Sequence, residues 1–345
     1  MMKKLTSSQI AKLAGVSRST VSRVVNGYDN VPASTRDRVM RIIHENDYHP
    51  HLSGQLLAGM KTGTLGFFWI SEETIANSEL SSSYLVHVTE AAARLGYLVL
   101  TSILTNLSEP ENILWAKKIF LQGRVDAGIF IGADNDEPLI EELIAAGYVV
   151  GLFDHFHQAR TEPNRISVNY ERETGSKIID YLYSLGHSKI SLLHGGMNRY
   201  SSVMRKKSFL EAMQRHGMEI RPEWMHEGGI SEQGGYDAAN ALFAQVAKGA
   251  EMPTAICANN DAVAFGAYKA LAEMEVSIPG QISVTGIDGS IRMMQPPLTT
   301  IAFDYHDFFY SLVARTVAAV EQRPDNPTTE FFKGRLIERG SCKRL

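Results

Sequence analysis

The sequence predicts two architectures in one chain: an all-α helix-turn-helix headpiece, and an α/β core of two doubly wound parallel-sheet lobes. Three observations predict them. Residues 6–26 read as two short capped helices joined at a glycine. From residue 64 onward short apolar runs alternate with helical stretches in two successive series, which implies parallel sheets covered on both faces. The charge is also split. Residues 1–61 hold nine Lys or Arg against four Asp or Glu, and the remainder 25 against 34, within 345 residues of net charge −4. A basic head on an acidic body fits a phosphate-contacting module attached to something that avoids nucleic acid.

The head begins with Thr6, whose hydroxyl can accept from the free amides of a helix start. Gln9, three residues on, can reach back to complete a capping box. Ile10, Leu13 and Ala14 give an apolar face at helical spacing. Gly15 ends the helix, because glycine reaches the left-handed conformation without a side-chain clash. Ser17 caps a second helix whose buried stripe is Val21, Val24 and Val25. Its outward residues, Arg18, Ser19, Ser22, Arg23 and Asn26, have the hydrogen-bonding reach for base edges and phosphates in a major groove. The same spacing also suits an ordinary polar helical hairpin. A third helix is expected over 33–46, started by Pro32, with Val39, Ile42 and Ile43 facing the first two.

In the core, strands are expected near 65–70, 97–103, 127–131 and 148–153, with helices near 84–95, 110–121 and 137–146. The second series places strands near 166–168, 189–193, 254–258 and 282–286, with helices near 171–185, 200–216, 232–247 and 261–274. Open α/β sheets bind ligands at the carboxyl ends of their strands. Asp154, Asn260, Asp261 and Asp288 fall at such ends, and Arg205 lies early in the helix after Ile190–His194. Carboxylates and amides bridge vicinal hydroxyls, and an Arg fork holds two oxygens at once. Trp69, Tyr84, Phe153, Phe156 and Phe303 are candidates to cover the apolar face of a sugar ring. Each has a plainer role open to it: Asn260 or Asp261 as a helix N-cap, Asp288 as a turn cap, the aromatics as core.

The run AGVSRSTVSRVVNG at 14–27, and VPASTRDRVMRIIHENDYHPHLSGQLLAG at 31–59, closely resemble the headpiece and hinge of the lactose- and galactose-repressor family of bacterial transcription factors. That resemblance implies a periplasmic-binding-protein-like core. It implies a headpiece over 1–49, a hinge helix and linker over 50–62, and an effector-binding and dimerisation core over 63–345. The chain would cross between lobes near 160–165, 290–298 and 322–328. Lobe one would then take about 63–161 and 292–322, and lobe two about 162–291 and 323–345. It implies DNA contacts from Thr6, Ser17, Arg18, Ser19, Thr20, Ser22, Arg23 and Asn26, with Leu57 as an apolar wedge in the minor groove. Gly54 stands where the family usually has alanine, which costs a helix about 1 kcal/mol. The implied effector set is Trp69, Tyr84, Asp154, Arg205, Asn260, Asp288 and Phe303. The expected protein is a homodimeric repressor on a pseudopalindromic operator of double-stranded DNA. A small molecule, a sugar or sugar derivative, would control a carbohydrate-utilisation operon; a nucleobase or other metabolite is the alternative effector. The chain ends soon after the last expected strand, without the heptad helix that makes some family members tetramers.

Other classes are disfavoured. Cys257 and Cys342 are far apart and in no ligand spacing, so neither a disulfide scaffold nor structural zinc is expected, and a reducing cytoplasm fits. Asp154-His155-Phe156-His157 could set two imidazoles on one side, but no third ligand is indicated. His194-Gly195-Gly196 has the look of an oxyanion loop, yet no Gly-x-Ser-x-Gly elbow exists in the chain. No phosphate loop, secretory signal or membrane-length apolar run occurs, so no cofactor, enzymatic activity or membrane association is expected.

Overall fold

Local capping chemistry builds the N-terminal helices as their residues dictate. The computed structural model describes residues 5–49, 61–71, 79–105, 107 and 109–345. The hinge expected within 50–62, with Gly54 and Leu57, lies almost entirely outside the described residues. The chain forms two compact units, residues 1–64 with 118–126, and residues 65–117 with 127–345. In the first, helix α1 (Ser7–Ala14) opens on a closed capping box: the Gln9 amide donates to Thr6 Oγ1 at 3.3 Å, and the Thr6 amide to Gln9 Oε1 at 2.8 Å. Gly15 ends it at φ 62°. Ser17 caps α2 (Arg18–Val25), accepting from the Thr20 amide at 3.1 Å, and α3 (Ala33–Glu45) starts after Pro32.

These three helices close over Ile10, Ala11, Ala14, Val21, Val24, Val31, Val39 and Tyr48. Leu13, expected on the inner face, is 56% exposed. Ala11 takes its place. At 100° per residue, positions 10, 11 and 14 form one stripe, and 13 lies well round the helix from its centre. In the same unit the Asp126 carboxylate accepts from the Thr62 and Gly63 amides at 2.6 and 2.8 Å, fixing the chain where it enters the core.

The second unit contains two six-stranded sheets. The first holds β1 (Thr64–Ile70), β2 (Leu98–Leu104), β3 (Ala127–Ile131), β4 (Val149–Phe153), β5 (Arg165–Tyr170) and β11 (Thr329–Phe332), in the order β11-β5-β4-β3-β1-β2. The second holds β6 (Ile190–His194), β7 (Met225–Glu227), β8 (Ala255–Ala258), β9 (Ser283–Asp288), β10 (Thr299–Ala302) and β12 (Arg335–Ile337), in the order β12-β10-β9-β8-β6-β7. Pairing from β11 through β1, and from β10 through β7, is parallel, while β12 runs antiparallel to β10. Every residue of β3, β5, β6, β8 and β9 is buried, as strands covered on both faces require. The helices are α4 (Glu79–Arg94), α5 (Pro110–Leu121), α6 (Pro138–Ala145), α7 (Thr174–Ser184), α8 (Tyr200–Arg215), α9 (Glu232–Ala247), α10 (Asp261–Glu273) and α11 (Tyr305–Val320).

The three crossings between sheets are displaced from their expected places. Strand β5 belongs to the first sheet, β10 to the second and β11 to the first, so the chain crosses at about 171–173, 303–304 and 333–334. The expected crossings near 160–165, 290–298 and 322–328 are therefore corrected, and so are the lobe ranges built on them. A fully buried strand carries the same apolar residues whichever sheet it joins, so hydrophobic pattern locates strands without assigning them. Two crossings are tied together by buried Glu171, which accepts from the Gly334 amide at 2.7 Å and pairs with Lys177. A Cβ at Gly334 would stand 2.3 Å from Ile301 Cγ2, so only glycine passes there.

Candidate functional site

The headpiece presents one polar surface. On α2, burial of Val21 and Val24 turns Arg18, Ser19, Ser22 and Arg23 to solvent, with Thr20 and Asn26 half-buried. Ser17 Oγ lies 2.7 Å from Ser19 Oγ and 2.8 Å from Thr20 Oγ1, and Asn26 Nδ2 donates to Ser22 Oγ at 3.4 Å. Arg18 Nε donates to Ser7 Oγ at 3.1 Å, which sets the starts of α1 and α2 side by side. Two helix N-termini, each with free amides, and two exposed guanidinium groups form a surface suited to phosphate and base contact. Leu57 lies outside the described residues.

In the core, the polar candidates converge between the sheets. Arg205, one turn into α8, is 4% exposed. It donates to the Asn259 carbonyl at 2.7 Å and to Asp288 Oδ1 at 3.3 Å, with its guanidinium 4.6 Å from the Tyr170 ring centroid. Asp288 ends β9 at φ 129° and also accepts from the Tyr305 hydroxyl at 3.2 Å. Asp154, at φ 59° just past β4, accepts from the Ser201 amide at 2.8 Å and the Ser201 hydroxyl at 2.6 Å. That places a carboxylate of the first sheet on the N-terminus of a helix of the second, where the helix dipole favours it.

The same helix start makes further bonds to the first lobe. Asn198 Nδ2 donates to Asp134 at 2.8 Å, the Asn135 amide to Asn198 O at 2.9 Å, and Arg199 to Gly132 O at 2.9 Å. Helix α8 thus carries Arg205 and also fastens the two lobes.

Burial pushes the Asp288 pKa up to about 6 against the opposing pull of Arg205. Burial and the neighbouring charge of Asp288 push Asp261 up to about 7. Desolvation likewise raises Asp154, opposed by its Ser201 bonds. On Arg205 burial acts downward, but Asp288, Tyr170 and Asp154 outweigh it and hold the side chain as a cation. Asp261 also receives Thr300 Oγ1 at 2.6 Å and the Ser290 amide at 2.6 Å, and Arg339 acts to lower it. Asp261 and Asp288 thus keep protons in the folded chain at pH values where the unfolded chain has released them, so stability falls as pH rises from about 4 towards 7. Each retained proton contributes a slope of at most about 1.4 kcal/mol per pH unit. Asp261→Asn is expected to flatten that fall in denaturant titrations; an unchanged slope would show that Asp261 titrates normally.

Two expectations need correction. Asn260 is not part of the Arg205 cluster: it caps α10, accepting from the Val263 amide at 2.8 Å and donating to Ile230 O at 2.9 Å. Asn259, one residue earlier, is buried with Oδ1 unpartnered and its carbonyl on Arg205. Trp69, Tyr84 and Phe153 are buried core rings rather than free faces. Trp69 stacks on Tyr84 at 5.9 Å, Tyr84 lies 5.4 Å from Phe153 and 4.9 Å from Tyr305, and Phe153 lies 5.5 Å from Tyr170. Phe303, half-buried, packs 4.7 Å from Tyr170. These rings form a wall leading to Arg205 through Tyr170. Finally, His155 is buried and His157 exposed, so the two imidazoles of Asp154–His157 do not share a side.

Tyr170 and Tyr305, whose hydroxyls lie 3.2 Å apart, were not among the expected residues. Tyr170 ends β5 and the strand-end rule would have found it. Tyr305 starts a helix for which the sequence had been assigned no element.

Comparison with known proteins decides the family. Residues 8–51 match "Bacterial regulatory proteins, lacI family", and residues 179–342 match "Periplasmic binding protein-like domain". A repressor PurR of Histophilus somni (strain 129Pt) is 30% identical over 302 residues, covering 86% of each chain. This chain belongs to the lacI family of bacterial regulatory proteins. The regulator AscG of Escherichia coli K12 is 27% identical, covering 97% of this lacI-family chain and 98% of that protein. The solved Lac repressor dimer bound to operator and the anti-inducer ONPF has a TM-score of 0.77 at 26% identity, covering 99% of this chain and 100% of that one. The lacI-family chain is a DNA-binding transcriptional regulator, and the relatives it matches are regulators rather than enzymes. Among its described residues no helix is long and apolar enough to cross a membrane.

Proposed function

We propose that the protein is a homodimeric repressor, acting in the cytoplasm, that binds a pseudopalindromic operator through its headpiece (1–49) and hinge (50–62). A small molecule held between the lobes of the core (63–345) controls that binding. Arg18 and Ser19 select bases, and Arg23 adds base or phosphate contacts. Thr6, Ser17 and Thr20 position the helix starts on the backbone, Ser22 and Asn26 add contacts from the outward face and far end of α2, and Leu57 wedges the minor groove.

The effector we infer is a sugar or sugar derivative of a carbohydrate-utilisation system. One observation carries this reading: Arg205, Asp288 and Asp154 gather around the crevice at the carboxyl ends of the strands, while the nearby rings are turned into the core. A cation and two carboxylates suit vicinal hydroxyls. A flat nucleobase would want an open ring face, which Trp69 and Tyr84 do not offer. The PurR relatives support the second reading, a purine-related effector.

Purified protein is expected to enrich a palindromic sequence from random duplexes. Arg18→Ala should relax preference at one base pair per half-site, by about 1–3 kcal/mol, or roughly fivefold to 150-fold. Sequence-blind, salt-sensitive binding alone would end the repressor reading. A thermal-shift panel of sugars, sugar phosphates and purines decides the effector class: a shift with purines only would replace the sugar reading.

A further inference from the structure

We propose a second small-molecule site on the flank of α8 next to the one that carries the Arg205 cluster, shaped for a small monocarboxylate with an apolar body. A cavity of about 450 Å³ opens there, walled by the Phe156–Gln158 segment after β4, the start of α7 and the outer stripe of α8. Tyr200, Met204, Lys207 and Glu211 line it from α8. Their spacing of four, three and four residues makes one helical stripe, about 100° round from that of Ser201, Arg205 and Ala212. The cavity and the cleft therefore share a wall but not a lining. Segments of both lobes frame the cavity: the Phe156 segment joins two strands of the first sheet, and α7 and α8 flank the second.

Charge and shape give the ligand class. The Arg172 guanidinium sits 5.7 Å from the Phe156 centroid and 5.8 Å from that of Phe331. The two rings, 5.2 Å apart, lie to one side of it, which leaves the far side of the guanidinium and its N–H groups for a carboxylate. Among the described residues no carboxylate lies within ion-pair distance of Arg172, whereas Lys207 has a loose 3.8 Å contact with Glu211. A largely apolar wall of half-buried Phe156 and Met204 and the buried Tyr200 ring, beside an unneutralised fork and the unpartnered Tyr200 hydroxyl, fits an apolar body with one anionic end. Glu173 and Glu211 in the same lining oppose a multiply charged phosphate ester.

The test uses the full-length protein and 4-fluorobenzoate, followed by ligand-observed fluorine NMR, with neutral 4-fluorobenzamide as its match. Saturable binding of the acid, and at least about tenfold weaker binding of the amide, is expected from loss of charge-assisted bonds. Arg172→Gln should weaken the acid by a similar factor, and Met204→Trp, which fills the space, should abolish it. If Arg172→Gln lowers the melting temperature, Met204→Trp and the amide comparison still decide. No saturable binding, equal binding of acid and amide, or binding indifferent to Met204→Trp would each overturn the proposal.

Discussion

Arg205→Ala is expected to lower the unfolding free energy by about 3–5 kcal/mol, because it breaks a buried pair from one side only. Asp288 would be left with the Tyr305 hydroxyl, and the Asn259 carbonyl would lose its donor. The Tyr170 ring would lose the cation lying over it. The Asp288 carboxyl, already raised by burial to about 6, should rise further once the opposing cation is gone. Denaturant unfolding at pH 5 and pH 8 therefore separates the causes. The variant should lose more stability at pH 8, where Asp288 must be charged or carry its proton at a cost. A loss below about 1 kcal/mol at both pH values would mean that the pair is effectively solvated. The double variant Arg205→Met with Asp288→Leu should recover much of the stability, since apolar replacement of a buried pair is often neutral. It should not recover any effector-induced thermal shift. Stability and recognition at this cluster are then separated by experiment.

How much of this was legible in the sequence depended on the range of the interaction that fixed it. The Thr6–Gln9 box, the Gly15 stop and the Ser17 cap are each decided within four residues, and each stands as read. Eight strand positions were equally legible, because a run such as Ile190–His194 has no solvent-facing side to disguise it, whereas the short β7, β10, β11 and β12 were not. Sheet membership was not. Whether β10 extends the first or the second sheet is decided by its ladder with β9 and β12, contacts that leave no local trace.

The site followed the same rule. Asp154 and Asp288 were found from strand ends, and Arg205 from its place early in the helix that follows β6. The tyrosine pair of 170 and 305, brought together across 135 positions of chain, was not. Asn260 shows the limit of the strand-end rule, since the residue after a strand is also the residue before a helix. There, capping took its Oδ1, and the Ile230 carbonyl took its Nδ2. Leu13 yielded to Ala11 for a reason of helical phase: the stripe that closes the small core is centred on Ile10, Ala11 and Ala14, and position 13 lies well round from it.

Val39→Asp is expected to abolish operator binding, with a loss of at least about 100-fold, while leaving the core intact. Val39 of α3 is fully buried against seven side chains drawn from α1, α2 and the loops flanking α3. A core of this size supplies no more than about 3–5 kcal/mol. An uncompensated buried carboxylate costs several kcal/mol, and the alternative, protonation, costs a comparable amount at neutral pH. No cation lies among the eight cluster residues to offset it. The three helices should therefore unfold as a unit, removing the surface that carries Arg18, Ser19 and Arg23. Because the headpiece helices belong to a different compact unit from the two sheets and the Arg205 cluster, the core's melting transition and its effector-induced shift should persist in the same protein. Val39→Ile, which keeps the chemistry and changes the volume slightly, should bind operator within about tenfold of the parent, the ordinary cost of overpacking. Gel-shift titration on a selected palindrome measures the first effect, and calorimetry the second. Retained binding by Val39→Asp would mean that the helix-turn-helix is not the element that grips DNA. Loss of the core transition as well would mean that the head and core fold as one cooperative body.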